Sequence, residues 1–388
     1  MEKKLLSESE RIRALDNAYA IIRRNLKEFT YSCQSEAGKD GFYYPIENVE
    51  WTTGFWPGEL WLIYEYSKDE EIKRVAQIFT ESFRKRIDEK IAVDHHDMGF
   101  LYTPSCVYDY MLTQSAGARD AAIKAADQLL RRWQGKGQFL QAWGAFGAKE
   151  NYRYIIDCLL NLPLLYWASD ETGDEKYRKT ALLHTATCMA NSFRSDNSTF
   201  HTFFMDPETG KPVRGETCQG YKADSSWARG QAWGVYGMAL SYRHTKEMKY
   251  LDKFEAVLDY FLSKLPEDKI PYWDLIFTSG DEPRDSSSAS IVACGCLEAA
   301  ESYEKLNMYE KSVKYKMIAK ELLKAVYDTC MTDKDDMSTN GLIKHGTYSK
   351  KSPYNTCTEN GVDEPVSWGD YYWLEALMRL SGEWKCIW

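Results

Sequence analysis

The stretch Ser226-Trp-Ala-Arg-Gly-Gln-Ala-Trp-Gly234, continued by Val235-Tyr-Gly-Met-Ala-Leu240, decides how this chain reads. A short loop rich in Gly, Ser and aromatic residues runs directly into an apolar helical segment. The same junction recurs along the chain. Trp51-Thr-Thr-Gly-Phe-Trp-Pro-Gly58 precedes Glu59-Leu-Trp-Leu-Ile-Tyr-Glu-Tyr66, and His96-Asp-Met-Gly-Phe100 precedes Val107-Tyr-Asp-Tyr-Met-Leu112. The others are Asn151-Tyr-Arg-Tyr-Ile-Ile-Asp-Cys-Leu-Leu-Asn-Leu162, Asp285-Ser-Ser-Ser-Ala-Ser290 before Ile291-Val-Ala-Cys-Gly-Cys-Leu297, and Ser367-Trp-Gly-Asp-Tyr-Tyr-Trp-Leu-Glu-Ala-Leu377. Six such junctions are visible.

Charged amphipathic segments alternate with them, at 69–86, 118–132, 174–194, 248–264 and 308–327. In Tyr309-Glu-Lys-Ser-Val-Lys-Tyr-Lys-Met-Ile-Ala-Lys-Glu-Leu-Leu323 the apolar residues fall three and four apart, which makes one helical stripe. Asp170-Glu-Thr-Gly-Asp174 and Glu304-Lys-Leu-Asn307 read as tight turns inside helical hairpins. Strand signals are few: Thr199-Phe-His-Thr-Phe-Phe-Met205 reads as a short strand before the turn Asp206-Pro-Glu-Thr-Gly210. The pattern predicts an all-α toroid with an inner ring of apolar helices wrapped by amphipathic ones. No linker or low-complexity stretch interrupts it, so residues 1–388 read as one domain.

Composition narrows the functional classes. Lys and Arg number 49 against 58 Asp and Glu, a net charge of −9, which argues against nucleic acid or an anionic membrane as partner. No apolar run reaches the length of a membrane span, and the first residues lack the apolar stretch of a signal peptide. The expectation is a soluble, cytoplasmic protein. The ten cysteines are scattered with no Cys-x-x-Cys, and the six histidines show no His-x-x-x-His; reduced core thiols and no metal site are expected.

Loops on a rigid ring carry function, and the residues crowding these junctions are Trp51, Trp56, His96, Asp97, Trp143, Asp157, His201, Trp227, Arg229, Gln231, Trp233, Trp368 and Asp370. Indole faces beside carboxylates, amides and an Arg suit a sugar, whose C–H faces stack while its hydroxyls need directional partners. The same tryptophans would equally serve as helix packing. Asp157 lies among apolar residues, a setting that raises a carboxyl pKa and suits a general acid; bonding to Asn161 one turn on is the structural alternative. Asp97 precedes a helix and reads as its N-cap. His201 reads as structural or as a ligand hydrogen-bonder. Arg229 has two readings, an ion pair with an aspartate or a clamp on an anionic substrate group. No nucleophilic-Ser elbow and no phosphate-binding Gly loop occurs, which argues against esterase and kinase chemistry.

These segments together resemble the unsaturated glucuronyl hydrolases, glycoside hydrolase family 88. The resemblance runs from about Trp51 to the C-terminal region. It rests on Trp51-Thr-Thr-Gly-Phe-Trp-Pro-Gly58, His96-Asp-Met-Gly-Phe100, Asp157, Gln219-Gly-Tyr221, Ser226 to Gly234, His345-Gly346, Gly361-Val-Asp-Glu364 and Ser367-Trp-Gly-Asp-Tyr-Tyr372. It implies an (α/α)6 barrel and a hydrolase that needs no metal or other cofactor. The implied substrates are the unsaturated disaccharides left by polysaccharide lyases. It further implies Asp157 as general acid/base and Asp97 as the second essential carboxylate. Gln219, Arg229 and His201 would contact the unsaturated uronate, with Trp51, Trp143 and Trp233 as aromatic walls.

Relatives that take sulfated disaccharides carry Ser-x-x-Ser-x-Lys after the His-Gly. Here the stretch is Ser349-Lys-Lys-Ser352-Pro-Tyr354, so both serines are retained as substrate-binding candidates while Tyr354 stands where the Lys would be. Lys350 and Lys351 are its possible replacements, and Asn355-Thr-Cys-Thr-Glu-Asn360 follows as an insertion. Family 105, which acts on pectin fragments, is the nearest rival. Arg229-Gly-Gln-Ala-Trp233 favours the glucuronyl group over it. A non-catalytic sugar-binding toroid is disfavoured by the presence of both aspartates.

Overall fold

The computed structural model describes residues 4–388. Twelve helices carry the described residues, counting 98–113 and 158–172 once each although both are locally broken. The inner ring is Phe55–Ser67, 98–113, 158–172, Ala228–Thr245, Ser286–Lys305 and Ser367–Arg379. The outer ring is Glu8–Phe29, Glu70–Asp88, Ala116–Leu130, Glu175–Asn191, Met248–Ser263 and Tyr309–Thr329. Successive inner helices pack on one another and Ser367–Arg379 packs back on Phe55–Ser67, which closes an (α/α)6 barrel.

Burial separates the two rings as the residue pattern requires. Ala228–Thr245 is buried without a break from Ala228 to Tyr242, whereas Tyr309–Thr329 buries only Ser312, Tyr315, Ile318, Ala319, Leu322, Leu323 and Val326, one face. Polar residues set the helix starts. Asp69 and Asp174 accept from the backbone N–H of Glu71 and Lys176 at 2.9 and 3.0 Å, and Ser7 forms a reciprocal capping box with Glu10. Gly173 ends its helix at φ +75°, a left-handed conformation that costs glycine nothing.

The sixth outer helix, Glu8–Phe29, comes from the start of the chain, outside the recurring pattern. It lies against both Phe55–Ser67 and Ser367–Arg379, and Arg11 donates to the carbonyl of Leu377 at 3.3 Å. The loops ahead of the inner helices also hold more sheet than the sequence suggested. Arg153–Ile155, Thr202–Met205 and Pro212–Glu216 form an antiparallel trio with Ile155 opposite Thr202 and Phe203 opposite Gly215. Gly346–Ser349 pairs with Asn360–Glu364. The expected strand from Thr199 is thus shorter and starts at Thr202, just after His201. Asp157 stands at a strand-to-helix junction rather than inside a helix.

A continuous apolar core runs from Leu6 to Trp388. All ten cysteines are free thiols, and no helix among the described residues is long and apolar enough to cross a membrane.

Candidate active site

The loops before the inner helices enclose a pocket of about 240 Å³. Its wall is built from Trp51, His96, Asp97, Trp143, Asp157, His201, Gln219, Arg229 and Trp233, joined by Ile155, Cys218, Trp227 and Tyr348. Every aspartate, tryptophan, His, Gln and Arg to which the resemblance gave a role is therefore in one cavity.

Asp97 and Asp157 arrive from different inner helices because two helix starts approach unusually closely. A Cβ on Gly99 would lie 2.3 Å from the Cα of Asn161, so only glycine permits this crossing. Asn161 Oδ1 accepts from the Phe100 N–H at 2.9 Å and its amide approaches Asp97 Oδ1 at 3.4 Å. Asp97 occupies the N-cap position of its helix but makes no capping bond. Its carboxylate is turned to His95 Nδ1 at 3.1 Å and His96 Nε2 at 3.2 Å instead. Asp97 thus does not cap with its side chain, and Asn161 turns its side chain to Asp97 rather than to the carboxylate of Asp157.

The surroundings shift the two carboxylates in opposite directions. Burial and the neighbouring Asp97 charge push Asp157 well above the ordinary carboxyl range, against the pull of Arg229. Its Oδ1, 3.7 Å from His96 Nε2, has no hydrogen-bond partner in the protein. Burial also acts to raise Asp97, but His96, His95 and Asn161 outweigh it and hold Asp97 below its usual value. The two shifts run in opposite directions, Asp157 up and Asp97 down, as an acid beside a carboxylate requires.

Opposite them, Arg229 is buried and its pKa falls to about 10, chiefly through desolvation. It donates to the carbonyls of Thr347 and Tyr348 at 2.7 and 2.8 Å and to Gln219 Oε1 at 2.9 Å. Asp285 lies 3.7 Å away, so the ion-pair reading of Arg229 holds. Its Nε is buried without a partner. His201 is pushed down to about 3 by burial and by Arg229, so it is neutral. The backbone N–H groups of Cys218 and Gln219 donate to its Nδ1 at 3.0 and 3.1 Å, which puts the ring proton on Nε2.

The aromatic wall is braced from behind. Trp51 stacks on Trp368 at 5.4 Å and donates from Nε1 to the Tyr348 hydroxyl at 3.0 Å. The Arg153 guanidinium lies 4.6 Å over Trp143, and Trp233 packs on Phe100 at 5.4 Å. His96, Asp97 and Asp157 also offer three ligand atoms within 4.8 Å of one another, the arrangement among the described residues that could hold a metal ion.

Other sequence candidates have structural work. Trp56 and Trp368 are core, Gln231 bonds the backbone of Thr199, Asn197 and Val257, and Asp370 holds the N–H groups of Leu342 and Ile343. Ser349 and Ser352 do not reach the pocket wall. Their hydroxyls donate to the carbonyls of Thr358 and Tyr221 at 2.7 and 2.5 Å, because the inserted loop beside them needs its backbone satisfied. Lys351 donates to Asn355 O at 2.8 Å and Lys350 lies 4.0 Å from Glu359, so neither stands free for a sulfate.

The comparisons agree with this geometry. The sequence model of Glycosyl Hydrolase Family 88 matches residues 22–365. The chain belongs to glycosyl hydrolase family 88. It is 44% identical to the unsaturated chondroitin disaccharide hydrolase of Streptococcus agalactiae serotype III over 100% of this chain and 96% of that one. The crystal structure of unsaturated glucuronyl hydrolase from Streptococcus agalactiae superposes with a TM-score of 0.93 at 44% identity, covering 99% of this chain and 95% of the other. A mutant from that species, solved with dGlcA-GalNAc6S, matches at a TM-score of 0.86 and 40% identity over 100% and 95%. Membership of family 88 rather than 105 settles the closest rivalry, and this chain is a glycoside hydrolase.

Sequence reasoning missed Ile155, Cys218 and Tyr348. Tyr348 comes from a hairpin remote in sequence, and Cys218 carries no chemistry of its own that would single it out. Trp227 and His96 were recognised as neighbours without a role, although the run Trp227-Ala-Arg229 and the pair His95-His96 before Asp97 are the signals for both.

Proposed function

We propose that this family-88 hydrolase removes the 4,5-unsaturated uronic acid from lyase-generated glycosaminoglycan disaccharides of the chondroitin or hyaluronan type. The observation that carries the reading is the pair Asp157 and Asp97 in one sugar-sized pocket, Asp157 with an unpartnered oxygen and raised by burial, Asp97 held down by its histidine neighbours. The streptococcal relatives supply the substrate class.

The C4=C5 bond of the substrate is a vinyl ether to the ring oxygen. Asp157 gives its proton to C4, and the positive charge forms across C5 and the ring oxygen, where the carboxylate of Asp97 offsets it. Water then adds at C5 and the ionised Asp157 takes its proton. The hemiketal opens by breaking the bond between C5 and the ring oxygen, and the hemiacetal left at C1 releases the neighbouring sugar. No covalent intermediate is needed, so the spacing rule for retaining and inverting enzymes does not apply. Arg229 and Gln219 meet the uronate group, His201 donates from Nε2, and Trp51, Trp143 and Trp233 flank the ring. The whole chain acts as one catalytic domain.

The test follows the ultraviolet absorbance of the unsaturated acid with unsulfated chondroitin disaccharide. Wild-type enzyme consumes it, and Asp157→Asn falls by about 10³-fold in kcat with no loss of melting temperature. Full activity in Asp157→Asn, or none in the wild type, overturns the proposal.

A further inference from the structure

The loop joining strands Gly346–Ser349 and Asn360–Glu364 is bonded along the loop that leaves strand Pro212–Glu216. Ser352 Oγ donates to the carbonyl of Tyr221 at 2.5 Å and Asn355 Nδ2 to that of Gly220 at 3.0 Å. The N–H of Cys357 donates to the carbonyl of Cys218 at 3.1 Å. The two segments run in opposite directions, and their last contact joins the backbones of two cysteines whose thiols lie near enough to interact electrostatically. A disulfide needs Cα atoms within roughly 4.4–6.8 Å of each other, a range that residues bonded backbone to backbone can reach.

These thiols differ from the rest. Seven of the ten cysteines are buried; Cys218, Cys357 and Cys386 are half-buried. Cys386 is taken by Arg379, whose guanidinium donates to its sulfur at 2.9 Å. Cys218 lines the pocket, and the Cys357 thiol makes only a long contact to the Lys350 carbonyl at 3.5 Å. A buried thiol is inert, whereas a half-exposed pair on two loops can react with a small oxidant, slowly here because partial burial and Cys218 push the Cys357 thiol up.

We propose that Cys218 and Cys357 form an oxidation site, a reversible disulfide that clips the inserted loop to the pocket wall. With oxidised glutathione as oxidant, the Cys218 thiolate attacks one glutathione sulfur and expels the other as thiolate. The Cys357 thiolate then attacks the Cys218 sulfur and expels the second glutathione. Both cysteine protons end on the two glutathione thiols. Two cysteine thiols are oxidised and one glutathione disulfide is reduced.

The clip acts on substrate binding. Cys218 and Gln219 are the two residues whose N–H groups hold His201 Nδ1, and Gln219 holds Arg229. Tying the Cys218 sulfur to Cys357 fixes the Cys218 side chain against the inserted loop and strains the bond its N–H makes to His201. Loss of one such bond weakens binding by about fivefold.

Full-length enzyme is incubated with oxidised glutathione, digested without reduction and analysed by mass spectrometry. The expected result is a cross-linked peptide containing Cys218 and Cys357, removed by dithiothreitol. In parallel, KM for the disaccharide rises about fivefold on oxidation with kcat little changed, and Cys357→Ser keeps its KM through the same treatment. A cross-link to other cysteines, a glutathione adduct alone, or an equal KM rise in Cys357→Ser overturns the proposal. The cross-link is read by mass, so its failure is separable from failure of the proposed reaction.

Discussion

The inner helices bury carboxylates at both of their ends, and the two ends treat them in opposite ways. At the C-terminal ends Glu298 accepts from Arg243 at 2.8 Å and from Arg379 at 3.1 Å. Glu375 accepts from Arg379 at 2.9 Å, from the Tyr236 hydroxyl at 2.5 Å and from Trp388 Nε1 at 2.7 Å. Burial pushes Glu298 up, but the two guanidinium groups win and bring it down to about 2. At the N-terminal ends Asp157 keeps an unpartnered oxygen and rises. One cluster spends its charges on each other and holds the barrel together. The other leaves hydrogen-bonding capacity unused, and that capacity is what a substrate meets.

The comparison breaks most sharply at Glu298. Glu298→Gln takes the shared anion from two guanidinium groups, leaving Arg379 with Glu375 and Arg243 with Glu301; it should cost about 3 kcal/mol, measured by urea unfolding, while kcat on the disaccharide stays near wild type. A large loss of kcat without lost stability would mean that the paired cluster also serves the reaction. Asp97→Asn has the reverse profile. Activity should drop by about 10²-fold with stability kept. Because the Asp97 charge raises Asp157, its removal lowers the Asp157 pKa, and the alkaline limb of the rate profile moves to lower pH.

Gly99→Ala tests how closely the two aspartates must be held. The new Cβ meets Asn161 backbone at 2.3 Å, so the helix starts separate and kcat/KM should fall by about tenfold. The smallest effect concerns stability against pH. Asp157 is raised in the folded state, so its contribution is full below the unfolded value near 3.8 and is lost as pH rises towards the folded pKa. Melting of Asp157→Asn should match wild type at low pH and exceed it by a few degrees at about pH 8. Glu298 has the opposite sign. Its stabilisation is present above 4.5 and is lost as pH falls towards about 2, so acid should destabilise wild type more than Glu298→Gln.

The barrel was legible because each inner helix announces itself twice, by an apolar run and by the Gly-aromatic loop ahead of it. The outer segments at 69–86 and 248–264 match Glu70–Asp88 and Met248–Ser263 to within two residues, since caps and amphipathic stripes are local properties. Glu8–Phe29 was passed over because no loop of the recurring type precedes it. Short strands such as Arg153–Ile155 exist only through pairing with distant partners, which no local pattern reveals. The same limit governed the site. Asp157 stood out as a carboxylate among apolar neighbours, whereas Tyr348 and the bonds that occupy Ser349 and Ser352 depend on loops meeting across the ring.

Glu8–Phe29 belongs to the first hairpin position of the ring yet rests on the last inner helix. On the ribosome it emerges early and must wait for Ser367–Arg379 before one flank of it is covered. The barrel can stack hairpin by hairpin as it is made, but its seam closes only when the end of the chain arrives. Until then the growing protein exposes an apolar strip at each open edge, and those edges are where a chaperone would be needed.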